Sequence, residues 1–269
     1  MNTLEKVYAT PSGDIHYWIT AGEPEKPWLV FLPGLTADHH LFDQQIPAFP
    51  AYNRLTWDAP GHAASRPFAL NFSMDDMARY LHEILEAEGI QNPVLIGQSL
   101  GGYIAQCYLA MYPGTVSGFV SIDSAPLSWK YFSGWELALL KDTRWMYEMI
   151  PWKLLLKWGI SGTSQTPYGR ELMAKTWAVY DREGYLDLTV HGYRILAEAV
   201  EARPEYRIDC PALLLCGEKD AAGSAKSYNR RWAKIDGLPL HWLAGAGHNS
   251  NTDVPDEVNR LIGEFLKTL

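Results

Sequence analysis

The chain has 269 residues, of which 47% are apolar and 20% are charged, a composition typical of a globular protein with one or two domains. It excludes an intrinsically disordered chain, a collagen-like fibre and a small disulfide-stapled scaffold. The 23 basic and 31 acidic residues give a net charge of −8, so we expect neither nucleic acid nor a membrane as a partner.

The first residues are expected to form a β-hairpin. Two β-rich runs, residues 4–10 and 15–20, are separated by Pro-Ser-Gly-Asp at 11–14, and such residues are typical of hairpin turns. The opening decapeptide MNTLEKVYAT has neither the basic start nor the apolar run of a signal peptide.

Six short apolar runs follow, and helical patterns lie between them. Continuous apolar runs of this length are typical of parallel strands buried on both faces; they cover residues 28–32, 54–57, 94–97, 118–122, 212–216 and 239–243. Apolar residues at helical spacing predict helices over 74–88, 100–112 and 256–266, the first with Ser73 as its N-cap. This alternation predicts an α/β fold with a mostly parallel, doubly wound sheet and helices on both faces.

The stretch 124–207 interrupts the alternation, because its periodicity is helical throughout. We predict a core formed by 1–123 and 208–269 and a helical cap, 124–207, inserted into it. Six of the 11 Trp residues lie in this stretch, at positions 129, 135, 145, 152, 158 and 177. Their clustering favours a substrate cavity with aromatic walls. Trp129, which comes soon after a strand end, is the first choice for a pocket residue.

A serine between glycines lies at a strand-to-helix junction. Residues 97–101 read Gly-Gln-Ser-Leu-Gly and join the predicted strand 94–97 to the predicted helix 100–112. In this context the G-x-S-x-G pattern places the serine on a sharp, strained turn with its hydroxyl exposed. The glycines remove Cβ atoms that would clash in so tight a bend. We predict that Ser99 is a catalytic nucleophile.

A serine hydroxyl needs a base, and the base needs a carboxylate that orients it. His248 lies in a glycine-rich loop after the last predicted strand, at the end of the sheet where sites of open α/β sheets form. Asp220 follows the strand 212–216, so that the residues run in the order Ser, Asp, His. Asp123, after the strand 118–122, is a rival for the same role. We predict Asp220 and His248 as the partners of Ser99.

An anion that forms on the substrate carbonyl needs two N–H donors. The residue after the nucleophile, Leu100, supplies one. The loop after the strand 28–32, Pro-Gly-Leu-Thr at 33–36, supplies the other, with Leu35 as the expected donor. Such a donor stabilises the transition state by about 3 kcal/mol.

Together these motifs resemble the α/β-hydrolase superfamily, in particular its small capped members. The resemblance covers nearly the whole chain through Pro-Gly at 33–34, Asp-Ala-Pro-Gly-His at 58–62, the serine motif at 97–101, Gly-Glu-Lys-Asp at 217–220 and Gly-His at 247–248. One departure is Pro33, where many members have His. The resemblance implies that His62 shapes a turn and is not catalytic.

The expected function is that of a serine hydrolase which cleaves a carboxylic ester or lactone of a small to medium, largely apolar substrate through an acyl-enzyme. Two alternatives stay open on this scaffold. One is a carbon–carbon bond hydrolase or cofactor-free oxygenase that uses the His/Asp pair, and the other is a non-enzymatic ligand receptor. Ser99 argues against the epoxide and haloalkane hydrolases of the family, which use a nucleophilic Asp. We expect no cofactor and no metal, and the oligomeric state stays open.

The cysteines favour a reducing compartment. Cys107, Cys210 and Cys216 are odd in number and form no CxxC pair, so neither a disulfide framework nor a zinc site is expected. Buried free thiols and a cytoplasmic location are the expectation.

Overall fold

The computed structural model describes residues 3–203 and 207–269, and an eight-stranded sheet runs through its centre. The strands are β1 Thr3–Thr10, β2 Gly13–Thr20, β3 Trp28–Leu32, β4 Asn53–Trp57, β5 Val94–Gln98, β6 Gly118–Ile122, β7 Ala212–Gly217 and β8 Leu240–Leu243. Their order across the sheet is β1-β2-β4-β3-β5-β6-β7-β8. The hairpin β1–β2 joins β4 antiparallel, and every other neighbouring pair is parallel. The predicted fold class and all eight predicted strands are confirmed.

Ten α-helices accompany the sheet in the described residues. They are α1 Met74–Ala87, α2 Leu100–Met111, α3 Gly134–Lys141, α4 Arg144–Glu148, α5 Trp152–Thr163, α6 Pro167–Trp177, α7 Arg182–Ala202, α8 Ala225–Asp236, α9 Ser250–Asp253 and α10 Pro255–Leu266. The three helices predicted from apolar spacing are α1, α2 and α10. At the start of α1 the Ser73 hydroxyl accepts from Asp76 N–H and the Asp76 carboxylate accepts from Ser73 N–H, which satisfies two backbone donors of the first turn.

Alternating strand side chains build two apolar layers, one on each face of the sheet. Leu95 and Phe119 belong to the layer that includes the buried faces of α1 and α2. Ile96 and Val120 belong to the opposite layer, which includes the buried face of α10. Burial on both faces explains why the central strands read as unbroken apolar runs.

Five helices, α3–α7, lie between β6 and β7, within the predicted insertion 124–207. Residues 204–206, near its predicted end, lie outside the described residues. The last of these helices, α7, also packs against the core. Its Ile195 and Val200 belong to the same apolar layer as α1 and α2. Leu137 of α3 belongs to that layer as well, whereas Leu155 of α5 and Met173 of α6 belong to the opposite layer.

The parallel register brings six loops to one edge of the sheet. Leu32 pairs with Gly97, Gln98 with Ile122, and Gly217 with Leu243, and β4 is parallel to β3. The carboxyl ends of β4, β3, β5, β6, β7 and β8 therefore lie side by side. Ligands of open α/β sheets bind at this edge.

Candidate active site

Ser99 occupies a strained turn between β5 and α2. Its φ of 49° and ψ of −116° lie in a region that costs a non-glycine residue on the order of 1–3 kcal/mol. A Cβ added at Gly97 would lie 2.4 Å from backbone atoms of Gly101, and one added at Gly101 would lie 1.8 Å from the carbonyl oxygen of Leu32. Only glycine fits at either position, which explains the spacing of the motif.

One chain of hydrogen bonds connects Ser99, His248 and Asp220. The His248 Nε2 lies 2.9 Å from the Ser99 Oγ, and the His248 Nδ1 lies 3.0 Å from the Asp220 Oδ2. The second Asp220 oxygen accepts from Ala222 N–H at 2.8 Å. Because a carboxylate only accepts hydrogen bonds, this arrangement assigns the ring proton to Nδ1 and leaves Nε2 to accept from the Ser99 hydroxyl.

The buried acids around His248 favour its charged form. Burial by itself lowers the pKa of His248, but the charge of Asp220, its hydrogen bond and the charge of Asp123 together outweigh that effect. The pKa of His248 is therefore raised above its ordinary value of 6.5. An imidazole held in this way is a stronger base toward the Ser99 hydroxyl than a free one.

Asp123, the rival acid, has a different set of partners. Its Oδ1 accepts from Gly217 N–H at 2.7 Å and its Oδ2 accepts from Ser250 N–H at 2.8 Å. The side chain is buried, and burial followed by the nearby charge of Asp220 raises the pKa of Asp123. Both Asp123 oxygens accept hydrogen bonds from backbone N–H groups, whereas the Asp220 carboxylate accepts a hydrogen bond from the His248 ring.

The loop that carries His248 is held by residues that the sequence analysis missed. The Gln98 side-chain amide donates to the His248 carbonyl at 2.8 Å, and the Asp253 carboxylate accepts from Gly247 N–H at 2.8 Å. Gln98 lies inside the serine motif, at its variable second position, so its place beside Ser99 was a usable signal. Nothing in the spacing or composition around Asp253 distinguishes it from an ordinary helix-start acid.

The two expected anion donors lie on segments adjacent to Ser99. A Cβ added at Gly34 would lie 3.1 Å from the Ser99 Cβ, so the loop after β3 is packed against the serine. The next residue, Leu35, packs its side chain on α7, where a Cβ added at Gly192 would lie 2.5 Å from Leu35 Cδ1. Leu100 is the first residue of α2, and the N–H of a first helical residue has no partner within the helix.

Three potential metal ligands meet beside this site. One ligand atom each from Asp123, Cys216 and Asp220 lies within 4.8 Å of the others. Burial and then the two carboxylates raise the pKa of the Cys216 thiol. The carboxylate oxygens already accept hydrogen bonds from Gly217, Ser250 and His248. The cluster is thus explained by the protein's own hydrogen bonds.

His62 lies outside the chain of hydrogen bonds to Ser99. Its ring is buried, its Nδ1 lies 3.0 Å from the Pro60 carbonyl oxygen, and burial lowers its pKa. A neutral ring that bonds within its own turn agrees with the expected structural role.

The Trp residues of the insertion do not form one aromatic wall. Trp135, Trp145 and Trp158 are 69%, 52% and 55% exposed, so they do not enclose a cavity. Trp177 is buried in the apolar layer that includes the buried face of α10, and it packs closely on Gly159 of α5. These four side chains face solvent or structural core, so they do not form the aromatic walls of the expected substrate cavity. Trp129 is 43% exposed in the turn that follows β6, and its pocket role stays a prediction.

The three cysteines are free. Cys107 and Cys216 are buried and Cys210 is half-buried. Among residues 3–203 and 207–269, no helix has the length and apolar character needed to cross a bilayer.

Comparison with known proteins places this geometry in a family. The family model described as alpha/beta hydrolase fold matches residues 27–253. The human protein named epoxide hydrolase 4 is 26% identical over 95% of this chain and 76% of its own length. A 2-succinyl-6-hydroxy-2,4-cyclohexadiene-1-carboxylate synthase of Klebsiella pneumoniae is 27% identical over 91% of this chain and 96% of its own.

A solved structure agrees with the same fold. The enol-lactonase from Burkholderia xenovorans superposes with a TM-score of 0.76 at 21% identity and covers 97% of this chain and 100% of its own. Since the family model spans most of the sequence and the sheet has the matching architecture, the chain belongs to the α/β-hydrolase fold family, as an enzyme of the hydrolase type.

Proposed function

We propose that the protein is a serine hydrolase that cleaves a carboxylic ester or lactone through an acyl-enzyme. The observation that carries the proposal is the continuous chain Asp220–His248–Ser99, with 3.0 and 2.9 Å between its hydrogen-bonded atoms. It ends on a serine held in a strained turn between strand and helix. A hydroxyl, a base and a carboxylate in this order form the arrangement used for acyl transfer on several unrelated folds.

The residues of the site have distinct roles in the proposed reaction. His248 Nε2 takes the Ser99 proton while the Ser99 Oγ attacks the substrate carbonyl, and Asp220 stabilises the imidazolium that forms. The N–H groups of Leu35 and Leu100 donate to the oxygen of the tetrahedral intermediate. His248 then gives the proton to the leaving alcohol, and a water molecule activated by the neutral ring releases the acid.

The nucleophile favours this chemistry over the activity in the human relative's name. Attack of a serine oxygen on an epoxide carbon gives an alkyl ether, which has no carbonyl that water can attack. Attack on an ester or lactone gives an acyl-serine, which hydrolyses. The enol-lactonase among the similar structures is named for a substrate of the second kind.

The proposal is tested with p-nitrophenyl esters and lactones of graded acyl length, together with fluorophosphonate labelling and mass mapping of the labelled peptide. We expect turnover of at least one series and a single label on Ser99. Absence of both turnover and label contradicts the proposal. Oxygen uptake, or cleavage of a carbon–carbon bond without labelling of Ser99, supports the alternative reactions in which His248 deprotonates the substrate.

The pH dependence follows from the environment of His248. Only the neutral ring accepts the Ser99 proton, so kcat/KM falls as the pH falls through the pKa of His248. Because that pKa is raised, the midpoint of the acid limb is expected above pH 6.5. Loss of the Asp220 charge in Asp220→Asn should move the midpoint to lower pH. A wild-type midpoint well below pH 6.5 contradicts the assignment of His248 as the base.

Trp129 is the proposed pocket residue of the insertion. It lies in the segment that leaves β6 at the ligand-binding edge of the sheet. Trp129→Ala is expected to change the preference among acyl chains by about 1–3 kcal/mol, the size of a lost apolar pocket contact. The ester panel measures this as a change in relative kcat/KM. Trp135→Ala, a change at a side chain that is 69% exposed, is the matched control and should leave the profile unaltered.

A further inference from the structure

The backbone around His248 is held from two sides by buried carboxylates. Asp123 accepts from Ser250 N–H and also from Gly217 N–H at the end of β7, so it connects the loop to the sheet. Asp253 accepts from Gly247 N–H at 2.8 Å, on the other side of His248. Its remaining hydrogen bonds lead away from the sheet.

The other partners of Asp253 lie in the joint between α5 and α6, residues 163–166. The Asp253 carboxylate accepts from Ser164 Oγ at 2.5 Å, from Gln165 N–H at 2.9 Å, and from both Thr166 N–H and Thr166 Oγ at 3.0 Å. With Gly247, five donors therefore meet on one buried carboxylate. Every one of these neighbours donates, so the site requires two acceptor oxygens.

The joint also contacts the loop directly. Asn249 N–H donates to the Thr163 carbonyl at 2.7 Å, and a Cβ added at Gly247 would lie 3.1 Å from that same oxygen. The backbone groups immediately before and after His248 are thus both held through the α5–α6 joint, one by way of Asp253 and one without it. The core holds the His248 carbonyl through Gln98.

We propose that Asp253 is a positioning residue that couples the helical insertion to His248. By fixing Gly247 against the α5–α6 joint, it sets the distance of the imidazole from Ser99 and Asp220. A displacement of about 1 Å in a catalytic group is enough to lower a rate about 100-fold. The proposal rests on the proposed function, because it needs His248 to act as the base.

Asp253→Asn tests the coupling. The amide replaces one acceptor oxygen by an NH₂ group that must face a donor, so the loop shifts. We expect kcat, counted per titrated active site, and the rate of fluorophosphonate labelling of Ser99 to fall by the same factor, about 10- to 100-fold. KM should stay unchanged, and the acid limb should move to lower pH as the ring loses part of its bond to Asp220.

Two milder variants separate positioning from stability, whether or not Asp253→Asn folds well. Ser164→Ala removes one donor on the insertion side and touches no group of the Ser99 site. Ser161→Ala, the control, removes a hydroxyl of α5 that donates to the Trp158 carbonyl of the same helix and has no other side-chain hydrogen bond to the described residues. We expect Ser164→Ala to lower kcat and the labelling rate, and Ser161→Ala to change neither.

The results distinguish the two proposals. If Asp253→Asn labels Ser99 at the wild-type rate and loses only melting temperature, or if Ser164→Ala and Ser161→Ala have equal kcat, Asp253 is structural and the coupling is wrong. If the wild-type enzyme neither hydrolyses esters nor takes the label, the proposed function itself fails.

Discussion

Replacement of Ser99 by Ala is expected to lower kcat on esters by a factor on the order of 10⁶, the loss seen when the nucleophile of a comparable triad is removed. The methyl side chain cannot form the acyl-enzyme. The proposed anion donors, the N–H groups of Leu35 and Leu100, stay in place and are expected to support a small residual rate. The measurement is kcat on the best ester of the panel, with fluorophosphonate labelling of the same preparation.

The variant must also lose the label entirely. The glycines at 97 and 101 that permit the turn are unchanged, so circular dichroism should show a normal fold. A Ser99→Ala protein with undiminished turnover, or with a label on another serine, would show that the reaction uses a different nucleophile.

The second large effect is expected at Asp220 and not at Asp123. Asp220→Asn keeps the shape of the side chain but offers His248 Nδ1 an amide, which favours the wrong tautomer. In a comparable triad this change lowers kcat about 10⁴-fold, and we expect a loss of that size. Asp123→Asn should lose less than about tenfold, because Asp123 contacts the backbone of Gly217 and Ser250 and neither ring nitrogen.

Both Asn variants replace a buried carboxylate in one cluster, so each serves as the control for the other. Circular dichroism and melting temperature confirm that both fold. A large loss at Asp123 together with a nearly active Asp220→Asn enzyme would reverse the assignment. It would also favour the reactions in which the His/Asp pair acts directly on the substrate.

The sheet was predictable from the sequence because burial on both faces imposes an unambiguous pattern. Short apolar runs that end in small or turn residues permit few other structures, and strand bounds read in this way agree with the structure within one or two residues. The helix α8 escaped prediction because its buried face combines Tyr228, Asn229 and Trp232. An apolar stripe is hard to recognise when it includes an amide.

The meeting of Ser99, Asp220 and His248 was predictable because each follows a strand of one parallel sheet, whose carboxyl ends share an edge. The role of the Trp residues was not predictable, since composition gives the number of Trp residues and not the direction in which each side chain points. Asp253 was not predictable either. Its five donors come from residues 164–166 and 247, and only the folded chain brings those segments together.

The packing of α7 limits how this enzyme can be altered by exchange of its insertion. A chimera with another cap would transplant residues 124–207, the predicted insertion, as a unit. Here the transplant would also remove Ile195 and Val200 from the layer shared with α1 and α2, and it would take away the Gly192 surface on which Leu35 rests. A graft confined to α3–α6 keeps both contacts. A donor cap for that graft must supply the Ser-Gln-Thr sequence at 164–166, because these residues donate to the Asp253 carboxylate.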